Sequence, residues 1–205
     1  MIAVIDYGVG NLFSLKSSLA AIGAKALVTS DPELIKSADR IILPGVGAFE
    51  DAAEKLSSAG LAELVISEAK KGKPTLGICL GMQLLFEKSY EYGEHKGLGL
   101  IKGAVRPLEG AISESLKIPH MGWNALKIKD KACSLFKYIN DGDFVYFVHS
   151  YYATECDEAV TATADYGVLV TAAVARGNVF GCQFHPEKSG ETGLNILRAF
   201  CETEG

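Results

Sequence analysis

The feature that most constrains the fold of this chain is the pentapeptide Gly77-Ile78-Cys79-Leu80-Gly81. The run Lys73–Leu76 before it predicts a strand, and Met82–Glu87 after it predicts a helix. Glycines on both sides of a central nucleophile permit a sharp, strained turn between strand and helix, which is the pattern of a nucleophile elbow. Such a turn would expose the Cys79 thiol and aim the N–H of Leu80 at the place where an oxyanion would form.

A second part of the same chemistry lies far downstream. Val179–Phe184 predicts a strand that runs into His185-Pro186-Glu187. Residues two apart on an extended chain point to the same side, so Glu187 can accept from one imidazole nitrogen and leave the other facing Cys79. Taken alone, Cys79 is compatible with a core residue and His185 with a hydrogen-bonded histidine at a strand end. Taken together, they predict a Cys–His–Glu triad.

Length, composition and charge limit the class of protein. The 205 residues, 48% of them hydrophobic, predict one domain, 1–205, with a substantial core. The apolar runs are too short to span a bilayer, and Met1–Asp6 has no basic region, so we expect a core strand there rather than a signal peptide. Five scattered cysteines indicate a reduced, cytoplasmic setting and no metal or cofactor site. A net charge of −5 argues against a nucleic-acid partner.

The order of predicted elements indicates the fold class. Before the elbow we predict strands at Ile2–Ile5, Ala26–Thr29 and Arg40–Leu43, and helices at Asn11–Ile22, Asp31–Ala38, Ala48–Ser58 and Leu61–Lys71. After it we predict strands at Val105–Leu108, Ala125–Ile128, Phe144–Val148, Val160–Ala164, Val168–Val174 and Val179–Phe184, and a helix at Gly190–Glu202. This pattern predicts an α/β fold with a mixed, mostly parallel sheet flanked by helices and an antiparallel portion in the second half.

Two glycine-rich turns follow predicted strands. In Gly8-Val9-Gly10 the third glycine of a dinucleotide loop is replaced by Phe13, so that site is only weakly indicated. Pro44-Gly45-Val46-Gly47 follows the third strand and is expected at the same sheet edge as Cys79. A glycine pair there could supply a second oxyanion donor, and the alternative is an ordinary turn between strand and helix.

The residues around the predicted triad, Gly77–Gln83 and Phe184–Glu187, resemble the class I (triad) glutamine amidotransferases, which have a flavodoxin-like fold. A further set of stretches is similar to one branch of that family, the glutaminase subunits of imidazole glycerol phosphate synthases in histidine biosynthesis. These stretches are Asp6–Leu12, Pro44–Phe49, Ile118–Asn124 and His185–Ser189. They cover residues 6 to 189 and show no departure from the family's catalytic pattern.

The resemblance implies a role for each of these residues. Cys79 would attack the side-chain amide of L-glutamine, His185 would move the thiol proton to the departing ammonia, and Glu187 would orient His185. The N–H groups of Leu80 and Val46 would form the oxyanion hole. The residues implied to bind glutamine are Gly45, Gly47, Gln83, His149, Ser150 and Tyr151.

The resemblance also implies a partner. The predicted fold uses all 205 residues, so we expect the ammonia acceptor on another chain. In the family this is a (β/α)₈ cyclase subunit, which forms a heterodimer and makes imidazole glycerol phosphate and an aminoimidazole carboxamide ribotide. The implied interface residues are Asn11, Met121, Trp123, Asn124 and Lys188. A core position for Trp123 and a solvated one for Lys188 remain alternatives, and His120 is expected either near the interface or in a structural role.

Position 46 leads to a regulatory hypothesis. A β-branched residue resists positive φ, so a peptide flip that completes the oxyanion hole would be disfavoured at Val46 until the partner shifts the equilibrium.

Other functions compete with a glutaminase subunit of imidazole glycerol phosphate synthase. Glutaminase subunits for anthranilate or aminodeoxychorismate synthesis would share the triad, and a γ-glutamyl hydrolase would work without a partner. A redox sensor or chaperone would display the elbow cysteine but would not need the pair His185 and Glu187.

Overall fold

The computed structural model describes residues 1–203 and leaves out the last two residues of the predicted 1–205 domain. The α-helices in this range are α1 (Leu12–Ala21), α2 (Pro32–Ser37), α3 (Phe49–Ser58), α4 (Leu61–Lys70), α5 (Leu80–Leu84) and α6 (Gly190–Cys201). The first strands are β1 (Ile2–Ile5), β2 (Ala26–Thr29), β3 (Arg40–Leu43), β4 (Thr75–Ile78), β5 (Phe86–Ser89), β6 (His95–Lys96) and β7 (Ile101–Pro107). The later strands are β8 (His120–Ala125), β9 (Lys127–Ile128), β10 (Phe144–His149), β11 (Tyr151–Thr154), β12 (Val160–Asp165), β13 (Leu169–Arg176) and β14 (Val179–Cys182).

The largest sheet has eight strands in the order β2-β1-β3-β4-β14-β13-β12-β9. The first five strands of this order are parallel, and the last three continue the sheet by antiparallel pairing. Strand β14 comes late in the chain but lies against β4, with Cys182 opposite Ile78. This pairing brings the segment after Cys182 next to the elbow.

Two smaller sheets complete the architecture. One has the order β11-β7-β5-β6, and the other is the antiparallel pair of β8 and β10. In the pair, His120 lies opposite His149 and Trp123 lies opposite Tyr146. These sheets supply the walls beside the carboxyl ends of β4 and β14.

The main sheet has apolar side chains on both faces. In β1, Ala3 and Ile5 pack into one buried cluster while Ile2 and Val4 pack into the other. Side chains alternate across a strand, so a strand that is covered on both faces must be apolar throughout. Helix α3 covers one face with Phe49, Ala52 and Leu56, which are spaced for one side of a helix.

The predicted fold class is confirmed, with several local corrections. The helix predicted over Met82–Glu87 is wrong at its end, because α5 stops at Leu84 and Phe86 begins β5. The hydrogen-bonded neighbours of β5 lie in β6 and β7, so tertiary pairing overrides the local helix preference. Most of β8 and all of β11 were not predicted, since their polar and aromatic residues do not form a clear apolar pattern.

The glycines of the elbow are needed for close packing. A Cβ built on Gly77 would lie 2.6 Å from the carbonyl oxygen of Gly81, and one on Gly81 would overlap the carbonyl oxygen of Leu43. Because backbone atoms cannot move aside as a flexible side chain can, only glycine fits at either position. The first turn of α5 therefore packs directly against the backbone of β3 and β4. Within residues 1–203, no helix is both long and apolar enough to cross a membrane.

We expect Gly81→Ala to lower the free energy of unfolding by on the order of 3 kcal/mol or more, because the added methyl group overlaps backbone. Gly110→Ala is the control. Unlike Gly81, Gly110 has positive φ, at 78°, but it has open space around its Cβ position. The control should cost only about 1–2 kcal/mol for the backbone conformation. Equal losses in urea unfolding would contradict the packing argument.

Candidate active site

Cys79 occupies a strained backbone conformation between β4 and α5. Its φ is 54° and its ψ is −112°, a region that costs a non-glycine residue about 1–3 kcal/mol. Its N–H donates to the carbonyl of Cys182 at 2.8 Å, and its carbonyl accepts from the N–H of Gln83 at 3.2 Å. These two bonds hold the elbow from both sides and direct the thiol away from the sheet.

The helix after the elbow is a single short turn, Leu80–Leu84. A five-residue helix has little macrodipole, so its effect on the thiol comes mainly from the nearest N–H groups. The first N–H of a helix has no partner within the helix. The N–H of Leu80 is thus a free donor directly beside the nucleophile, as an oxyanion hole requires.

His185 and Glu187 form a buried pair. Nδ1 of His185 lies 2.8 Å from Oε1 of Glu187, and both side chains are almost fully buried. The backbone N–H of His185 donates to Tyr146, and its carbonyl accepts from the hydroxyl of Ser189. The other ring nitrogen, Nε2, is buried and makes no hydrogen bond of normal geometry to a described residue. It is therefore available to the thiol of Cys79 and to a substrate.

The electrostatics of His185 depend on its two neighbours. Burial by itself would lower the pKa of the imidazole, because it disfavours the charged ring. The thiolate of Cys79 and the carboxylate of Glu187 outweigh burial and raise the pKa of His185 to about 9. His185 is therefore protonated at neutral pH. Cys79 and His185 can supply a nucleophile and a general acid together.

The strand that precedes His185 is shorter than predicted. The prediction extended it to Phe184, but β14 ends at Cys182, where its pairing with β4 and β13 ends. His185 itself is extended, and Pro186–Lys188 forms a 3₁₀ turn. The turn, together with the hydroxyl of Ser189, brings Glu187 back to the imidazole.

A cavity of about 460 Å³ opens in front of Cys79. This size is within the range of small-molecule sites. The predicted site residues that line it are Val46, Gly47, Cys79, Leu80, Gln83, His149, Ser150, Tyr151 and His185. Gly45 and Glu187 do not line this cavity. They line a separate small cleft of about 10 Å³, together with Asn11. Most of the predicted site is therefore brought together in one place.

The loop Pro44–Gly47 packs closely against the elbow. The hydroxyl of Tyr7 donates to the carbonyl of Pro44 at 2.6 Å, and burial raises the pKa of that phenol. A Cβ on Gly45 would lie 2.8 Å from the N–H nitrogen of Gly81 and 2.9 Å from the Tyr7 hydroxyl. Gly45 is thus needed for packing, while Val46 is exposed at the cavity wall and has a negative φ.

Gln83 is held by the protein. Its Nε2 atom donates to the carbonyl of Tyr151 and to Oε1 of Gln183, each at 3.0 Å. Nε2 of Gln183 in turn lies 3.8 Å from the sulfur of Cys79. Gln83 therefore forms a rigid wall of the cavity. Gln183 was not predicted, although its position two residues before His185, on the predicted strand Val179–Phe184, was a usable signal.

Several other residues that line the cavity were not predicted either: Glu91, Tyr92, Pro107, Glu109, Ile118, Pro119 and Val148. Glu91 accepts from the N–H of Phe49, the first residue of α3, at 2.7 Å. Burial raises the pKa of its carboxyl group. No local pattern indicates Glu91, because its loop meets the cavity only through the folding of β5 and β6.

Comparison with known proteins shows the family of this chain. The family model described as "Glutamine amidotransferase class-I" matches residues 3–203. This chain belongs to that family. Among solved structures, "Crystal structure of glutamine amidotransferase" has a TM-score of 0.76 at 18% identity and covers 98% of this chain and 100% of its own. A structure of PurLQS from Thermotoga maritima has a TM-score of 0.73 at 23% identity and covers 98% and 96%. These two likenesses show the shared fold.

Closer sequence relatives carry one common name, imidazole glycerol phosphate synthase subunit HisH. The relative from Bacillus cereus (strain G9842) is 54% identical over 200 residues, which cover 98% of this chain and 93% of the relative. The one from Caldanaerobacter subterraneus subsp. tengcongensis is 52% identical over 203 residues and 98% of both chains. The one from Wolinella succinogenes is 48% identical over 204 residues, with 98% and 99% covered.

In this glutamine amidotransferase, most of the predicted interface residues lie on one face outside the triad. Met121 and Trp123 are exposed, so the core alternative for Trp123 is wrong. The indole ring lies 6.2 Å from the ring of Tyr146, and the ammonium of Lys188 lies 5.8 Å from the same ring. Asn11 begins α1, and its side chain accepts from the N–H of Ser14.

Asn124 is placed differently from its predicted neighbours. Its side chain lies on the opposite side of β8 from Trp123 and is 3.2 Å from Nε2 of His120. His120 in turn contacts His149, with Nδ1 and Nε2 2.9 Å apart. Burial lowers the pKa of His120 to about 4, and burial together with the neighbouring His120 lowers that of His149 to about 3. Both rings are therefore neutral at pH 7.

This buried pair predicts a loss of stability in mild acid. An unfolded histidine takes up a proton near pH 6.5, but these two do not until about pH 4 or below, so the unfolded state binds more protons in between. We expect the free energy of unfolding to fall as the pH falls from about 6.5 towards 4, by up to about 1.4 kcal/mol per pH unit for each ring. His120→Asn should flatten this dependence in denaturant unfolding at pH 7, 6 and 5. An identical slope in the variant would contradict the assignment.

Proposed function

We propose that this chain is the glutaminase subunit of an imidazole glycerol phosphate synthase. It hydrolyses L-glutamine to glutamate and ammonia and passes the ammonia to a (β/α)₈ cyclase subunit. The observation that carries the chemistry is Cys79, strained at the elbow beside a cavity that is also lined by His185, whose ring is bonded to the buried Glu187. The relatives named HisH support the choice of pathway.

The cavity suits glutamine at both ends of the substrate. The side-chain amide would lie against Cys79, with its oxygen towards the N–H of Leu80 and, after any peptide flip, towards that of Val46. The α-ammonium group needs an acidic neighbour, which Glu91 and Glu109 on the cavity wall can supply. The remaining wall, His149 to Tyr151, would fix the rest of the substrate.

The reaction follows from the protonation states of the triad. The thiolate of Cys79 attacks the amide carbon and forms a tetrahedral intermediate, whose oxyanion the N–H groups stabilise. Protonated His185 gives its proton to the leaving nitrogen, so ammonia departs and a thioester remains. Neutral His185 then takes a proton from water, which attacks the thioester and releases glutamate. Glu187 holds Nδ1 of the ring throughout, so that Nε2 carries out both transfers.

The exposed face beside the triad is the proposed docking surface for the cyclase. Trp123 and Lys188 both lie around the ring of Tyr146. The carbonyl of Tyr146 in turn accepts from the backbone N–H of His185. A partner bound there would cover one side of the triad and could receive the ammonia that is released. Exposed aromatic side chains of this kind are common at the centres of interfaces.

Glutamate release by the purified chain tests the chemistry. We expect low activity alone, strong stimulation by an imidazole glycerol phosphate synthase cyclase subunit with its acceptor ligand, and none in Cys79→Ala. Glu187→Gln should lower kcat by on the order of 10³-fold, because it removes the charge that orients and stabilises protonated His185. Full activity without the cyclase would favour a γ-glutamyl hydrolase or another stand-alone enzyme. No activity in either condition would remove the glutaminase assignment.

Binding of the cyclase tests the docking surface. Trp123→Ala should weaken the complex by on the order of 30-fold, as expected for an aromatic residue at the centre of an interface. Leu34→Ala is the control, because Leu34 is also an exposed apolar residue but lies on α2. It should leave the Kd from titration calorimetry unchanged. Similar effects of the two substitutions would place the interface elsewhere.

A further inference from the structure

Strand β8 has two faces with different surroundings. Met121 and Trp123 are exposed on one face. His120 and Asn124 lie on the other, and His120 is paired across the sheet with His149 at the end of β10. Strand β8 is therefore exposed next to the triad on one face. Its other face is hydrogen-bonded, through His120, to His149 in the wall of the glutamine cavity.

The hydrogen bonds between these side chains can run in only one direction. Nδ1 of His149 is 2.9 Å from the carbonyl of Tyr151, which can only accept, so Nδ1 carries the hydrogen. In the neutral ring Nε2 then accepts, and its partner at 2.9 Å, Nδ1 of His120, must be the donor. Nε2 of His120 is left as an acceptor for the amide of Asn124 at 3.2 Å.

The contacts of Asn124, at the other end of this series of hydrogen bonds, independently require the same donor direction. The side-chain nitrogen of Asn124 also lies 2.9 Å from the carbonyl of Asp165, so this atom must be the NH₂ group. Its oxygen accepts from the N–H of Ala125 at 2.8 Å. Both ends therefore give the same order: Asn124 donates to His120, His120 to His149, and His149 to the Tyr151 carbonyl.

The surroundings of His120 hold its ring in this arrangement. The ring is stacked between Phe147, at a centroid distance of 4.7 Å, and Tyr166, at 4.0 Å. The interplanar angles are 21° and 23°, so both neighbours lie nearly parallel to it. Such a slot prevents rotation of the ring and favours its neutral form.

We propose that His120 is a positioning residue for the glutamine pocket. It fixes the tautomer and position of His149, which in turn fixes the Tyr151 carbonyl that also accepts from Gln83. His120 does not line the cavity, so it acts on the substrate only through His149. This inference rests on the proposed function, because the cavity is taken to bind glutamine.

The first test measures the tautomers directly. ¹⁵N NMR of the imidazole nitrogens, on the chain alone at pH 7, should show the hydrogen on Nδ1 for both His120 and His149. Asn124→Asp keeps the shape of the side chain but replaces the donor with an acceptor. We expect this variant to place a hydrogen on Nε2 of His120. An Nε2–H tautomer for either ring in the unsubstituted chain would overturn the proposal.

The second test separates positioning from folding and chemistry. His120→Phe keeps a flat ring but removes both nitrogens, and it should raise the KM for glutamine about tenfold with little change in kcat. His120→Asn keeps a donor near the Nδ1 position and should restore KM to within about threefold. Alkylation of Cys79 by iodoacetamide, which needs no bound glutamine, should proceed at the same rate in all three proteins.

The control is Lys127→Ala, which removes an exposed ion pair with Asp165 close to Asn124 but leaves the hydrogen-bond chain intact. It should not change KM. An unchanged KM in His120→Phe, or an equal loss in His120→Asn, would overturn the proposal. A wild-type chain that releases no glutamate would instead overturn the proposed function, and the tautomer measurement would still decide whether the chain of donors exists.

Discussion

The site depends on the parallel pairing of β4 with β14. This pairing places Ile78 opposite Cys182, so that the two strands end side by side. The nucleophile follows directly from one strand and the histidine follows the other after two residues. Because the N–H of Cys79 also bonds the carbonyl of Cys182, the strained elbow is an extension of the sheet ladder. The hydrogen bonds of the regular sheet therefore hold Cys79 in its strained backbone conformation.

The charges of the site are arranged around this frame. Glu187 is held back against His185 by a 3₁₀ turn and by the Ser189 hydroxyl, and together with the thiolate it raises the pKa of the imidazole. Burial lowers the pKa of His149, which lines the cavity, and of His120 behind it. At neutral pH His185 is therefore protonated, whereas His120 and His149 are neutral. The difference follows from their partners, since only His185 faces negative charge.

The sequence predicted the elbow and the segment that meets it better than the walls of the pocket. The elbow and the His185-Pro186-Glu187 segment are local patterns whose geometry follows from strand parity and glycine conformation, and the structure brings their side chains together. Gln183 was missed although parity could have indicated it. Glu91 and the Asn124–His120–His149 chain gave no usable signal, because each depends on strands that pair across large separations in the chain.

By itself the sequence determined the alternation of strands and helices in the first half, the elbow and the family, and it predicted the pair of His185 and Glu187, because all of these are encoded in short stretches with their own turn and packing requirements. Only the tertiary structure decided that α5 is one turn long, that β5 and β8 are strands, and that Trp123 faces outward while Asn124 faces inward. The physical reason is that a strand's partners and its two faces are set by pairing with distant segments. A residue's neighbours along the chain do not contain that information.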